Sequence, residues 1–93
     1  MADVTVQTGS SVQVTIRYFA AAQAAVGCDS TQLTVPAGTT IDELLDTLGA
    51  DTPELGTLLA RCSFLCDGVA VRDRMQPLRP GNTIDVLPPF AGG

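Results

Sequence analysis

Histidine and lysine are both absent from the sequence, and each absence excludes a class of activity. Without histidine the chain has no Ser/His or Cys/His pair for nucleophilic catalysis. Without lysine it has no phosphate-binding loop of the GxxxxGK[ST] type. A metal site would depend on three scattered thiols and on carboxylates, so we expect none. We expect that this chain binds no cofactor itself and that any ATP is used by a partner protein.

Cysteine is scarce, and the three residues Cys28, Cys62 and Cys66 cannot all pair within one chain. A chain of this length also folds without covalent staples, so the count argues against a disulfide framework and favours a reducing compartment. Cys62 continues a leucine stripe and Cys66 lies in a strand pattern, so we predict both to be small buried residues. Cys28 is the cysteine that we expect to be exposed, and a persulfide on it stays open as an alternative chemistry.

Long apolar runs are missing, and so is a surplus of positive charge. The first ten residues lack a basic and an apolar region, and every apolar stretch is far shorter than the roughly 20 residues that span a bilayer. Ten acidic residues against five arginines give a net charge of −5, which repels nucleic acids and anionic membranes. We therefore predict a cytoplasmic protein with no nucleic-acid or membrane partner.

Strand patterns occur at both ends of the sequence and in its second half. Residues 12–18 alternate apolar and polar side chains, and residues 31–35 and 83–87 also have strand character. Residues 64–66 and 69–71 flank Asp67-Gly68, a dipeptide typical of a two-residue type I′ hairpin turn. We predict two strands before the main helix, and a hairpin and a last strand after it.

Helix patterns fill the middle of the chain. The alanine-rich residues 20–26 predict a short helix that stops at Gly27. Thr40-Ile-Asp-Glu43 is a capping box, after which a second helix is predicted to end at Gly49. The buried stripe of this helix is Ile41, Leu44, Leu45 and Leu48. A third helix is predicted to follow Pro53, with a stripe made of Leu55, Leu58, Leu59 and Cys62.

This order of elements predicts an α+β protein with a single core, because 93 residues with 45% apolar content suit one domain. The economical arrangement is a β-grasp (ubiquitin-like) fold, a mixed sheet packed on one main helix with a flexible C-terminal Gly-Gly tail. A ferredoxin-like sheet fits less well, since only one helix is long and strongly periodic. We assign residues 1–11 to a disordered N-terminal extension, 12–87 to the β-grasp domain and 88–93 to an extended tail.

The tail Pro88-Pro-Phe-Ala-Gly-Gly93 combines stiff residues with residues that lack a Cβ. Proline keeps a departing chain extended, while glycine lets bare backbone enter a slot too narrow for side chains. Six residues reach about 20 Å at most. The terminal carboxylate is anionic and unreactive at neutral pH, so it needs activation by a nucleotide-using partner. The alternative reading is that terminal glycines simply fray.

Several segments resemble the MoaD/ThiS family of sulfur carriers, most closely the small subunits of molybdopterin synthases. They are Val14-Thr-Ile-Arg-Tyr-Phe-Ala20, Gly27, Asp67-Gly68 and Leu87-Pro-Pro-Phe-Ala-Gly-Gly93. The resemblance covers residues 12–93, and its most specific motif is the Pro-Pro-x-x-Gly-Gly ending. One departure is Gln23-Ala24, where members of the family often have Arg-Glu.

The resemblance implies a β-grasp fold and a reactive C-terminus. An ATP-dependent activating enzyme would adenylate Gly93, which would then receive sulfur as a thiocarboxylate. The large molybdopterin synthase subunit would use that sulfur to build the dithiolene of molybdopterin. The chain would not be catalytic alone. Residues Pro88, Pro89, Phe90, Ala91 and Gly92 would insert into the partner, and Phe19 and Leu87 would contact it at the interface.

Other functions share the same ending. A sulfur carrier for thiamine or cysteine synthesis would have the same fold and Gly-Gly terminus. A ubiquitin-like modifier attached through its glycine is a further alternative, although the absence of lysine forbids lysine-linked chains of this protein. A plain β-grasp interaction module with an idle tail is the fourth.

Overall fold

The structure is a computed structural model that describes residues 11–89. The expectations for residues 1–10 and for Phe90, Ala91, Gly92 and Gly93 lie outside the described residues. In chain order the elements are β1 (Ser11–Tyr18), α1 (Ala20–Val26), β2 (Ser30–Pro36), α2 (Ile41–Asp51), α3 (Pro53–Leu59), β3 (Ser63–Cys66), β4 (Val69–Ala70) and β5 (Thr83–Leu87). β1 thus begins at Ser11, one residue before the predicted start of the domain.

The strands form one mixed sheet in the order β2-β1-β5-β3-β4. β1 and β5 lie side by side in parallel, whereas β1 pairs with β2, and β3 with β4 and β5, in antiparallel fashion. Antiparallel neighbours need only short turns, but the parallel pair requires the long crossover that the helices supply. This topology confirms the predicted α+β, β-grasp arrangement.

The core lies between the sheet and the helices because the side chains of each strand alternate between two faces. Val12, Val14, Ile16 and Tyr18 point from β1 toward the helices and are buried, as the alternation predicts. The predicted stripe of α2, Ile41, Leu44, Leu45 and Leu48, is buried against them. The fully buried centre consists of Val14, Ile16, Ile41, Leu44, Leu55, Ile84 and Val86.

The start of α2 is capped in two ways. The Thr40 hydroxyl accepts a hydrogen bond from the Glu43 amide at 3.1 Å, and the Glu43 carboxylate accepts one from the Thr40 amide at 2.9 Å, which confirms the capping box. In the β4–β5 loop, the Gln76 carbonyl accepts from the Ile41 amide at 3.1 Å and the Arg74 carbonyl accepts from the Asp42 amide at 2.8 Å. This loop also buries Leu78, a core residue with no strand or helix periodicity to reveal it. All the first donors of the helix are thereby satisfied.

The prediction that α2 ends at Gly49 is wrong, because the helix continues to Asp51. The break comes at Thr52, which has extended backbone angles, as expected of a residue that precedes a proline. Gly49 serves instead for close packing: a Cβ on Gly56 would lie 2.9 Å from the carbonyl oxygen of Gly49 and 3.2 Å from its Cα. The two glycines let the backbones of α2 and α3 approach.

The predicted hairpin is present, with a shorter second strand. Asp67 and Gly68 have φ of 50° and 82°, the left-handed conformation that a type I′ turn requires. β4 stops at Ala70, although the Val71 amide still donates to the Phe64 carbonyl at 2.9 Å. The Asp67 carboxylate accepts from the Asn82 side chain at 2.6 Å and from the Thr83 amide at 2.8 Å. These two hydrogen bonds hold the turn against the start of β5.

Two parts of the third predicted stripe differ in the structure. α3 ends at Leu59, so Cys62 lies in the turn before β3 rather than on the helix. Its thiol donates to the Leu58 carbonyl at 3.3 Å. Leu58, Cys62 and Cys66 are half-buried, because the helix is short and the sheet edge is close. The prediction that the two cysteines are fully buried is therefore wrong.

We predict that Leu44→Ala lowers the free energy of unfolding by about 2–5 kcal/mol, because it empties a fully buried leucine site. Asp46→Ala, an exposed change on the same helix, is the matched control and should stay within about 0.5 kcal/mol of the wild type. Urea denaturation followed by circular dichroism measures both. Equal stability of the two variants would contradict the buried stripe.

We also predict that Gly56→Ala destabilises the protein, although alanine is the better helix former by about 1 kcal/mol. The added methyl group meets backbone atoms of Gly49, which cannot rotate away, and such overpacking costs about 1–3 kcal/mol. Thr57→Ala, at an exposed position of the same helix, is the control for helix propensity; it also removes the exposed hydrogen bond from the Thr57 hydroxyl to the Pro53 carbonyl. A higher melting temperature for Gly56→Ala than for Thr57→Ala would overturn the close helix contact.

Candidate functional site at the end of the central strands

The C-terminal segment leaves the domain at the end of the last strand, β5. We call this point the exit. β5 ends at Leu87, which is half-buried, and Pro88 is buried while Pro89 is exposed. Pro88 had been predicted to belong to the extended tail, but it packs on the domain. The part of the chain that can project from the domain therefore starts at Pro89, and its base is held by a buried proline with a fixed φ.

The parallel pairing of β1 and β5 places Phe19 beside this exit. Tyr18 faces Val86 across the pair, and the Phe19 amide donates to the Val86 carbonyl at 3.3 Å. Phe19 and Leu87 thus follow the last paired residues of two neighbouring strands. On the other side of β5, Leu87 faces Ser63 at the start of β3. The two residues predicted as interface contacts are brought together at the point where the tail begins.

Phe19 is held at a sharp corner of the chain. It has extended backbone angles, and the next residue, Ala20, begins α1 with a φ of 51°. A positive φ is uncommon for a residue with a Cβ, and it turns the chain abruptly from strand to helix. Phe19 keeps 38% of its surface exposed, as one of three large apolar residues that are exposed within residues 11–89. With the half-buried Leu87 beside it, Phe19 gives the exit an apolar rim.

An ion pair lies next to Phe19 on the outer face of the sheet. The Arg17 guanidinium binds the Asp85 carboxylate with two hydrogen bonds, from Nε at 2.6 Å and from Nη2 at 2.9 Å. The Asp85 side chain is 7% exposed and that of Arg17 is 52% exposed. Hydrogen bonding to Asp85, followed by the attraction of its charge, raises the pKa of Arg17. The Arg17 guanidinium also lies 5.5 Å from the centre of the Phe19 ring, within cation–π range.

A surface recess of about 370 Å³ lies beside this cluster. It is lined by Arg17, Tyr18, Phe19, Gln23, Asp29 and Ser30. Gln23 is one of the two positions, Gln23 and Ala24, at which the sequence departs from the family that it resembles. The only cationic side chain that lines the recess within the described residues therefore comes from β1 and not from α1.

Sequence reasoning missed Arg17 and Asp85 as parts of this site. The alternation of β1 and β5 puts both side chains on the solvent face of their strands, but it does not say that the strands are neighbours. Only the register, in which Arg17 faces Asp85, creates the pair. A buried aspartate on the outer face of a sheet has no signal in the sequence by itself.

The three thiols differ in exposure, and Cys62 directly precedes Ser63, which faces Leu87 at the exit. Cys28 is exposed, as predicted, and its Sγ lies 3.6 Å from the Thr31 hydroxyl oxygen. Burial raises the pKa of both Cys62 and Cys66, which lowers the fraction of reactive thiolate at neutral pH. Residues 11–89 contain no group of three or more metal-binding side chains, and none of their helices is long and apolar enough to cross a membrane.

Comparison with solved structures identifies the fold. The HVO 2177 protein of Haloferax volcanii superposes with a TM-score of 0.82 at 26% identity, covering 99% of this chain and 94% of the other. Small archaeal modifier protein 1 of H. volcanii gives a TM-score of 0.76 at 18% identity, with coverages of 85% and 99%.

A third similar structure comes from a complex of subunits 1 and 2 of the molybdopterin-converting factor of Helicobacter pylori. Its matching chain gives a TM-score of 0.62 at 22% identity, with coverages of 88% and 100%. No curated protein matched the sequence.

The sequence model of the ThiS family matches residues 16–93, which is most of the chain and includes the exit and the Gly-Gly ending. This match agrees with the fold, with the position of the tail at the end of the central strand and with the resemblance seen in the sequence. The chain therefore belongs to the ThiS family, within the group of MoaD/ThiS ubiquitin-like sulfur carriers.

Proposed function

We propose that this protein is the sulfur carrier subunit of a molybdopterin synthase and that Gly93 is its working residue. The observation that carries the proposal is the construction of the exit: a Gly-Gly tail continues from the central strand, after a buried proline and beside an exposed phenylalanine. The family match supports sulfur chemistry at the C-terminus, and a complex of two subunits among the similar structures supports a large-subunit partner.

The chemistry follows from the carboxylate of Gly93. Its oxygen attacks the α-phosphate of ATP on an activating enzyme, and pyrophosphate leaves. A hydrosulfide ion attacks the carbonyl carbon of the resulting acyl adenylate, and AMP leaves with the electron pair of the broken bond. The product is a thiocarboxylate, which then donates sulfur for the dithiolene on the large subunit. Activation is required because the ionised carboxylate repels nucleophiles.

The domain supplies position and reach. Since Pro88 is buried, the projecting part of the tail is residues 89–93, which span about 17 Å when fully extended. Pro89 restricts the direction in which this segment leaves, and the two glycines have no side chain to obstruct a narrow channel. Phe19 and Leu87 surround the base of the tail and are the contacts that hold the domain outside the active site of the partner.

A protein modifier is the second candidate, because proteins named small archaeal modifiers are among the similar structures. Both functions begin with activation of the terminal glycine, so the fold does not separate them. Incubation with the activating enzyme, ATP and a sulfur source, followed by intact mass measurement, does. A mass gain of one sulfur-for-oxygen exchange indicates a carrier, and a set of heavier conjugates in host lysate indicates a modifier.

We predict that one residue appended after Gly93 abolishes sulfur loading while the melting temperature stays unchanged. The extension caps and displaces the reactive carboxylate, and the core is untouched. The control is a residue appended before Met1, which should load sulfur normally. Intact mass spectrometry of both variants measures the yield, and undiminished loading of the C-terminal extension would contradict the terminal-carboxylate chemistry.

We further predict that Cys28→Ser loads sulfur as well as the wild type does. Cys28 is the exposed thiol among the described residues, so it is the position at which a persulfide relay would operate. If the sulfur is delivered directly to Gly93, the thiol is dispensable. Comparison of loading rates under reducing conditions measures this, and a severalfold slower rate in the variant would favour the relay.

A further inference from the structure

The Arg17 guanidinium has one edge that its ion pair leaves unused. An arginine has five N–H groups in a rigid fork, and the contacts with Asp85 engage Nε and one hydrogen of Nη2. No other acceptor within residues 11–89 is bonded to Arg17. One hydrogen of Nη1 and the second hydrogen of Nη2 therefore form a second edge, with the spacing that a carboxylate fits.

The position of this edge is fixed before any partner arrives. The buried Asp85 carboxylate accepts two hydrogen bonds from the guanidinium. The guanidinium carbon of Arg17 lies 5.5 Å from the centre of the Phe19 ring. A long arginine side chain ordinarily loses rotamer freedom when it binds a ligand. Here the fold has already ordered Arg17, so a contact made by its free edge costs less.

The electrostatic setting favours an anionic group at this point. The outward-facing residues of β1 before Arg17 are Ser11, Gln13 and Thr15, none of which carries a charge. In the ion pair the negative group is buried and the positive group faces solvent, so the exposed end is cationic. Asp29 lines the recess as well, which directs an incoming carboxylate to Arg17 rather than into the recess.

We propose that Arg17 is a partner-recognition residue that receives a carboxylate side chain of the protein that takes up the tail. This inference rests on the proposed function and names a feature of the partner: an aspartate or glutamate flanked by apolar side chains that pack on Phe19 and Leu87. Because Arg17, Phe19 and Leu87 surround the tail exit, the contact also sets the direction in which residues 89–93 enter the partner.

The test uses a double variant, Arg17→Gln/Asp85→Asn. It removes both charges, so the net charge is unchanged and no buried carboxylate is left unpaired. Asp85→Asn alone retains the positive charge of Arg17. Arg17→Lys retains a positive charge at this position but removes the paired N–H groups of the guanidinium. Arg79→Gln removes an exposed arginine that precedes β5, at the far end of the strand from the tail, and is the matched control.

Each variant is titrated calorimetrically against the large molybdopterin synthase subunit from the same organism, at low and at high sodium chloride, with a thermal melt for each. We expect the double variant to bind at least about tenfold more weakly and to lose most of the salt dependence, while Arg79→Gln binds like the wild type. Asp85→Asn keeps the cation but not its fixed position, so it should bind more tightly than the double variant and keep more of the salt dependence. Arg17→Lys should melt close to the wild type and bind more weakly.

Wild-type affinity and salt response in the double variant would overturn the inference and leave the proposed function standing. If the double variant melts early, Arg17→Lys decides, since wild-type binding by that variant excludes recognition by the fork. Absence of binding by the wild-type protein would overturn the proposed function and this inference together.

Discussion

The parallel pairing of β1 with β5 is the contact on which the rest of the molecule depends. It joins the two ends of the described chain at the centre of the sheet and aligns Ile16 with Ile84, two fully buried residues of the core. Parallel neighbours cannot be connected by a tight turn, so the whole helical layer and the β3–β4 hairpin belong to the connection between them. The same pairing places Arg17 opposite Asp85 and Phe19 beside the exit of the tail.

The division of labour between domain and tail follows from this arrangement. The described residues end just after a central strand, and a buried proline, Pro88, fixes the point from which the C-terminal segment continues. The domain offers no catalytic side chains among the described residues; it offers a rigid platform with one exposed aromatic ring and one ordered cation. In the proposed function, chemistry on the main-chain terminus requires little else from the domain, because the activating and accepting enzymes would supply the reactive groups.

Charge is distributed unevenly over the two faces. The carboxylates of α2 and α3 lie on the solvent side of the helices, whereas the centre of the sheet carries a mutually bonded arginine–aspartate pair. A uniformly acidic surface would repel acidic partners in every orientation. A partner carboxylate at Arg17, as proposed above, would favour the orientation that places the tail at the partner's active site.

Local patterns in the sequence determined most of the secondary structure and the face that each element buries. The alternation in β1, the capping box at Thr40 and the Asp67-Gly68 turn each depend on neighbouring residues, and all are present in the structure. The family was also readable from the sequence, because its motif lies in contiguous residues at the C-terminus. The prediction for Gly49 was wrong, because the sequence alone does not distinguish a glycine that ends a helix from a glycine that permits a close contact between helices.

What only the tertiary structure decided depends on residues that are far apart along the chain. The Arg17–Asp85 pair joins residues separated by 68 positions, and its existence depends on strand order and register rather than on either local pattern. The burial of Leu78 and Pro88 likewise depends on how a loop and a strand end pack on the helices and the sheet. The sequence by itself therefore determined the elements and the reactive end, and the tertiary structure determined the surface that surrounds the exit, because packing brings together side chains that no short-range pattern connects.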